Sequence, residues 1–235
     1  MIKKILPCNC IECEHNYCTP RVPIFSTLNQ EQLSVLARLI KHKTYEKGQH
    51  ILVEGQQMEN LVFINKGSSK AFKNSYQGRE QILYIFSEGD FFGEANLLSQ
   101  QIAPYTVSAM TQIEICVINK KDFHQLLLDF PDIGIRVIEG LSHKIDKLEL
   151  TVRSLTSNVE SRLNEVLLEF SRKYSEVHPK GLMVNLPLNR EGIANYIGAS
   201  RETICRKMKI LENEGVIELI GNKKVLILNP HALES

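Results

Sequence analysis

The sequence predicts an α+β protein in four consecutive parts. These are a cysteine-rich arm (1–25), a small β-roll (26–133), a long helix (134–159) and a terminal bundle of short helices closed by a hairpin (160–235). Three observations carry this reading. Short apolar runs punctuated by Gly48, Gly55, Gly67, Gly78, Gly89 and Gly93 fill Thr44–Asn119, a spacing of about ten residues that suits an all-β roll. A heptad seam then runs through Ile138, Leu141, Ile145, Leu148, Val152, Leu155 and Val159. Last comes a helix–glycine–helix pattern over Arg190–Lys209, with a hairpin behind it.

At 235 residues the chain is long enough for two modest domains, each with its own core. Its 43% hydrophobic and 23% charged residues are ordinary for a soluble globular protein. A net charge of +1 requires that any nucleic-acid-binding surface be a local basic patch. Met1–Pro7 holds too short an apolar run for a signal sequence, and no stretch reaches the roughly 18 apolar residues of a membrane span. The expected location is the cytoplasm, without membrane contact. No nucleophile–base–acid set and no phosphate loop is visible, so an enzyme is not expected.

Within these parts the individual elements follow. Asn29–Ile40 places Leu33, Leu36, Ala37 and Ile40 on one helical face. The clearest strands are Ile51–Val53, Leu61–Ile64, Ile82–Phe86 and Ile113–Ile118. The heptad seam has no charge at an a or d position, and Lys144, Lys147, Glu149, Arg153 and Glu160 crowd its flanks. It therefore predicts a parallel homodimer that holds together without any ligand, so that a signal changes the poise of the attached domains. Leu163, Val166, Leu167 and Phe170 continue as a helix, Gly181–Leu188 reads as extended, and Val216–Ile220 with Val225–Leu228 form the closing hairpin.

Each residue of the helical pair has a geometric role. Ala194 allows a close crossing, Gly198 takes the positive φ of the turn, and Ser200 caps the second helix. Ile193, Ile197, Ile204 and Met208 supply buried faces. The second helix then displays Arg201, Glu202, Cys205, Arg206 and Lys209, a surface that fits a major groove. Arginine can grip guanine bidentately and glutamate can accept from cytosine. Lys207 and Lys209, with Lys223 and Lys224 at the hairpin tip, suit phosphate contacts.

Cys8, Cys10, Cys13 and Cys18 place four of the six cysteines within eleven residues. In a reducing compartment such a cluster holds a metal or acts as a redox sensor more often than it forms structural disulfides. The residues alone leave open zinc held by these four thiolates, a disulfide switch, and inert thiols. His15 is a weak alternative ligand, and the remaining histidines, His42 among them, read as scattered surface residues.

Roll, long helix and winged helix-turn-helix in this order resemble the Crp/Fnr family of bacterial transcription regulators. The signatures are Gly89-Asp90-Phe91-Phe92-Gly93-Glu94 in the roll and Ser200-Arg201-Glu202-Thr203-Ile204-Cys205-Arg206 in the recognition helix. The resemblance implies a jelly-roll like a cyclic-nucleotide-binding domain. It also implies an inverted-repeat operator with TGA/TCA-like half-sites, with RNA polymerase as a further partner. Arg201, Glu202 and Arg206 would read bases, with Ser200, Cys205, Lys209 and Lys223 beside them. Members that bind cyclic AMP pair its phosphate with an arginine about ten residues after Gly-Glu. That place falls near Pro104-Tyr105, and no arginine lies between Arg79 and Arg136. A buried phosphate without a cation is costly, so cyclic AMP is not expected.

The Fnr branch resembles the chain more closely, since its oxygen sensors ligate an iron–sulfur cluster with three arm cysteines and one in the roll. The resemblance implies a [4Fe–4S] cluster on Cys10, Cys13, Cys18 and Cys116, with Cys8 as a substitute for Cys10. The last arm gap is four residues where that branch has five. A homodimeric DNA-binding regulator that senses oxygen or redox state follows from this resemblance. Zinc or no metal are the alternatives for the arm, and an organic effector held by the roll is a further one.

Overall fold

The computed structural model describes residues 22–25, 28–75, 78–94, 102–154 and 158–234. Cys8, Cys10, Cys13, Cys18 and the seam residue Leu155 lie outside them. The chain divides into two compact units, one reaching to Ile145 and one from Asp146 onward, with Arg79–Ile82 grouped with the second.

In the first unit a 3-10 turn, Pro23–Phe25, precedes helix α1, Gln30–Leu39. A reciprocal capping box starts α1: Asn29 Oδ1 accepts from Gln32 N–H and Gln32 Oε1 accepts from Asn29 N–H, each at 2.9 Å. Eight strands follow: β1 Lys41–Tyr45, β2 His50–Leu52, β3 Asn60–Lys66, β4 Ser69–Asn74, β5 Glu80–Phe86, β6 Phe91–Phe92, β7 Thr106–Ala109 and β8 Ile113–Asn119. They build two four-stranded sheets, ordered β1-β8-β3-β6 and β2-β7-β4-β5.

Side-chain alternation along β8 divides its residues between two cores. Ile113, Ile115 and Val117 join Val62, Ile64, Phe86, Phe92 and Val107 in the core shared by the two sheets. Cys116 and Ile118 point the other way, to a second core with Phe25, Leu36, Ile40, Phe63, Phe123, Ile133 and Val137. That second core is roofed by the 3-10 turn, α1, and helices α2 (Lys120–Asp129) and α3 (Pro131–Ser154).

The predicted roll is present with one strand that was not foreseen, and the long helix differs at both ends. β1 was missed because Lys41-His42-Lys43-Thr44-Tyr45 has no apolar alternation and stays largely exposed, held in place by pairing along β8. The long helix begins at Pro131, a favourable first-turn residue, three residues before the predicted start. The seam does not run unbroken to Val159. Asn158 caps a new helix, accepting from Ser161 N–H at 2.9 Å, so Val159 opens the next element. Within α3, Ile133 and Val137 are buried against the unit's own core, whereas Ile135, Ile138, Ile145 and Leu148 are exposed. One face thus serves the roll, and another is apolar and exposed among the described residues.

The second unit contains α4 Val159–Tyr174, β9 Ser175–His178, β10 Gly181–Asn185, α5 Arg190–Ile197, α6 Arg201–Asn213, β11 Ile217–Ile220 and β12 Lys224–Ile227. The strands form one antiparallel sheet in the order β11-β12-β10-β9. The β9–β10 hairpin adds a fourth strand to the three foreseen. Gly181 is required there, since a Cβ would fall 2.0 Å from the carbonyl oxygen of Ile227. Phe170 of α4 stacks on Tyr196 of α5 at 6.1 Å, which ties the helical pair to its support.

Candidate nucleic-acid interface and sensor site

The turn between α5 and α6 is built as its residues demand. Gly198 ends α5 at φ 78° and ψ 42°, and the N–H groups of Gly198 and Ala199 both donate to the carbonyl of Ala194 at 2.9 Å. Ser200 Oγ then accepts from Thr203 N–H at 3.1 Å and starts α6. Ile193, Ala194, Ile197, Ile204 and Met208 are buried between the helices. The opposite face of α6 exposes Arg201, Glu202, Cys205, Arg206 and Lys209, five residues on the surface of one helix. Lys223 and Lys224 are exposed at the tip of the β11–β12 wing.

Two lysines are placed differently from expectation. Lys207 is half-buried and its ammonium pairs with the Glu160 carboxylate of α4, so it braces the helical pair rather than standing out toward phosphate. Lys209 is exposed but pairs with Glu212 at 2.5 Å. Glu212 also accepts from Leu219 N–H at 3.1 Å, which fastens the wing to the recognition helix. The hydrogen bond from Lys209, and then that from Leu219, hold the Glu212 carboxyl below the ordinary glutamate value. Behind the same face, burial lowers the pKa of Arg190, partly offset by Cys205 and Glu212.

In the first unit Cys116 is 3% exposed and sits mid-strand on β8, paired in register with His42 of β1 on one side and Phe63 of β3 on the other. Its Sγ lies 3.5 Å from His42 Nδ1. A cavity of about 10 Å³ borders the thiol, lined by Val22, Phe25, Ile40, Phe63, Ile64 and Asn65. The described end of the arm, Val22 and Phe25, therefore packs beside Cys116. Sequence reasoning missed His42, because the register that delivers it belongs to the strand that carried no apolar signal. Among the described residues no three His, Cys, Asp or Glu side chains gather as a metal set. No helix among them is long and apolar enough to cross a membrane.

Comparison with known proteins gives two family matches. Residues 42–130 match the cyclic nucleotide-binding domain, and residues 161–235 match the Crp-like helix-turn-helix domain. The chain is 30% identical to the probable transcriptional regulator Flp of Lacticaseibacillus casei over 92% of its own length and 96% of the relative's. The chain belongs to the Crp/Fnr family of transcription regulators. It is also 31% identical to the cAMP-activated global regulator CRP of Pasteurella multocida, over 79% of this chain and 88% of that one. Its fold matches the solved structure of a CooA mutant from Carboxydothermus hydrogenoformans with a TM-score of 0.78, at 20% identity over 91% and 94% of the two chains. As a member of this family it is a DNA-binding regulator, and Crp-family regulators are dimers. The uncovered apolar face of α3 agrees with that assembly.

Family membership makes the roll's signature legible. Gly93 is positive in φ, and a Cβ there would lie 2.4 Å from Asn60 O and 2.5 Å from Met58 Cε. The glycine thus lets β6 close against β3, whatever the roll binds. Glu94, at 8% exposure, is buried beside Tyr84 and Tyr105. Tyr105 sets its ring edge-on to Tyr84 at 5.8 Å, and both pack against the inner core. Burial first, and then the Glu94 charge, raise the pKa values of both phenols, so they remain neutral.

Proposed function

We propose that this Crp/Fnr-family regulator responds to oxygen or redox state through its arm cysteines and Cys116, and that a [4Fe–4S] cluster on Cys10, Cys13, Cys18 and Cys116 is the sensor. The observation that carries the reading is the packing of Val22 and Phe25 over the Cys116 thiol. Cys18 is four residues before Val22, and a chain reaches at most ~3.6 Å per residue, so it is confined to about 14 Å of that turn. That tether puts the Cys18 thiol within reach of the neighbourhood of Cys116, which supports the reading.

Thiolates are the ordinary donors for such a cluster, which when bound would supply a centre that oxygen degrades. The donor chemistry fits, whereas the cavity of about 10 Å³ holds little more than one water. Ligation at Cys116 thus requires the Val22–Phe25 turn to move. That turn shares its core with Ile133, Val137 and Leu141 of α3. Its Ile24 also stands against Gly140, where an added Cβ would lie 3.9 Å from Ile24 Cγ2 and 3.1 Å from the Phe91 ring. Displacing the turn repacks the helix that carries the exposed dimer seam, and so links the arm to the poise of the DNA-binding units.

The small cavity also supports a second reading, a disulfide between Cys116 and an arm cysteine, which needs no room for an inorganic core. Zinc on Cys8, Cys10, Cys13 and Cys18 would leave Cys116 a packed apolar residue. Anaerobic purification with iron and sulfide analysis and a visible spectrum separates the three. Four irons per chain with colour bleached by air supports the cluster. Colourless protein with an air-formed Cys116 disulfide by mass spectrometry supports the thiol switch, and one zinc with free Cys116 supports the third.

The roll is proposed not to take cyclic AMP. Tyr105 stands where cyclic-nucleotide binders carry the phosphate-pairing arginine, and a neutral phenol does not compensate a buried phosphodiester. Equilibrium dialysis with labelled cyclic AMP tests this, and saturable micromolar binding would overturn it. Operator reading is assigned to Arg201, Glu202 and Arg206, with Ser200, Cys205, Lys209 and Lys223 at the contact surface and RNA polymerase as the onward partner.

A further inference from the structure

We propose that Glu212 is a specificity-determining residue that acts through Lys209: its carboxylate holds the Lys209 ammonium back from the DNA backbone, so that the α6 face binds more through bases than through phosphates. The inference rests on the assignment of that face to operator reading, and not on the sensing mechanism. Three elements converge on this one side chain. Oε2 accepts from Lys209 Nζ of α6 at 2.5 Å, and Oε1 accepts from Leu219 N–H of β11 at 3.1 Å. The charge of Arg190, at the start of α5, also acts on it.

Two exposed side chains one helical turn apart ordinarily pair weakly, because both must be ordered and salt screens them. Glu212 differs from that case. It is half-buried, and a backbone amide of the adjoining strand fixes one carboxylate oxygen while the other meets Lys209. The bond from Lys209, and then that from Leu219, favour the charged carboxylate. Lys209 thus has a partner already set in place, and the pair adds no net charge to the face. Position matters as well, since Lys209 follows Arg206 by three residues on the same helix. A free ammonium there would grip the phosphates of any sequence, raising non-specific affinity and diluting the discrimination that Arg201, Glu202 and Arg206 provide.

The test measures binding of the full-length protein to two labelled duplexes by fluorescence anisotropy across a salt series. One duplex carries an inverted repeat of TGA/TCA-like half-sites, and the other is a mixed sequence of equal length. Glu212→Gln removes the charge, while its amide oxygen can still accept from Leu219 N–H and keep the wing attached. On the mixed duplex the slope of log affinity against log salt should steepen by about 0.9 for each protomer in contact, close to ~2 for a dimer. The ratio of operator to mixed-sequence affinity should fall. Adding Lys209→Met to Glu212→Gln should remove the extra slope, an outcome that a merely loosened wing would not give. An unchanged or shallower slope in Glu212→Gln would overturn the inference. So would a steeper slope that persists in the double variant, since Glu212 would then act on DNA by its own charge. Arg206→Ala that keeps its full specificity in the same assay would instead overturn the operator-reading face, and this inference with it.

Discussion

Gly198→Ala is the sharpest structural test of the DNA-binding unit, because backbone conformation and not a steric clash decides its effect. The residue adopts φ 78° and ψ 42°, and the nearest atom to an added Cβ would be 3.9 Å away, so there is no clash to relieve. An L-residue in the left-handed region costs about 1–2 kcal/mol. Removing glycine's freedom in the unfolded chain returns about 0.4–1 kcal/mol. The net loss should be about 0.8 kcal/mol, the difference of the two mid-range values. Asparagine tolerates this region better, so Gly198→Asn should lose less than Gly198→Ala. Amide hydrogen exchange in α5 and α6 measures the free energy of this unit without assuming that the whole chain melts in one step. Unchanged protection in Gly198→Ala, or equal losses for Ala and Asn, would refute the left-handed turn as the reason for glycine.

Other outcomes follow from the same geometry. Arg206→Ala should weaken specific operator binding by ~1–3 kcal/mol while leaving non-specific binding nearly unchanged, measured by competition at one salt concentration. A proportional loss of both would make Arg206 a phosphate contact. Ile138→Asp with Ile145→Asp places charges on the exposed face of α3 and should yield monomers in sedimentation velocity. A persistent dimer would locate the interface elsewhere. The lowered Glu212 pKa contributes stability that is complete above the ordinary glutamate value and fades as pH falls through its lower folded value. Glu212→Gln should flatten that acid limb and loosen the wing, seen as faster exchange of the Leu219 amide.

The winged helix-turn-helix was legible because every local requirement had its own residue. Gly198 supplies the positive φ, Ser200 the cap, and Ile193, Ile204 and Met208 the buried period. The β-roll was legible from glycines and apolar runs, although its polar strand β1 was not, since partner strands rather than its own pattern hold it in place. The break at Asn158 was hidden because apolar residues continue at heptad spacing across it. The extended backbone of the Asn158 cap starts a new helix without interrupting that periodicity in the sequence. Cys116 was picked out by resemblance alone, as a cysteine on an apolar strand carries no signal of its own. His42 and the diversion of Lys207 to Glu160 are products of register and tertiary packing, which a linear reading does not contain.

Operator affinity measured by fluorescence anisotropy, for wild type and Cys116→Ser, anaerobically and after exposure to air, bears most directly on the proposed sensing. Wild type should bind its inverted repeat tightly without oxygen and lose that affinity in air, while Cys116→Ser should bind weakly under both conditions. Equal affinity of wild type with and without air, matched by Cys116→Ser, would contradict the account.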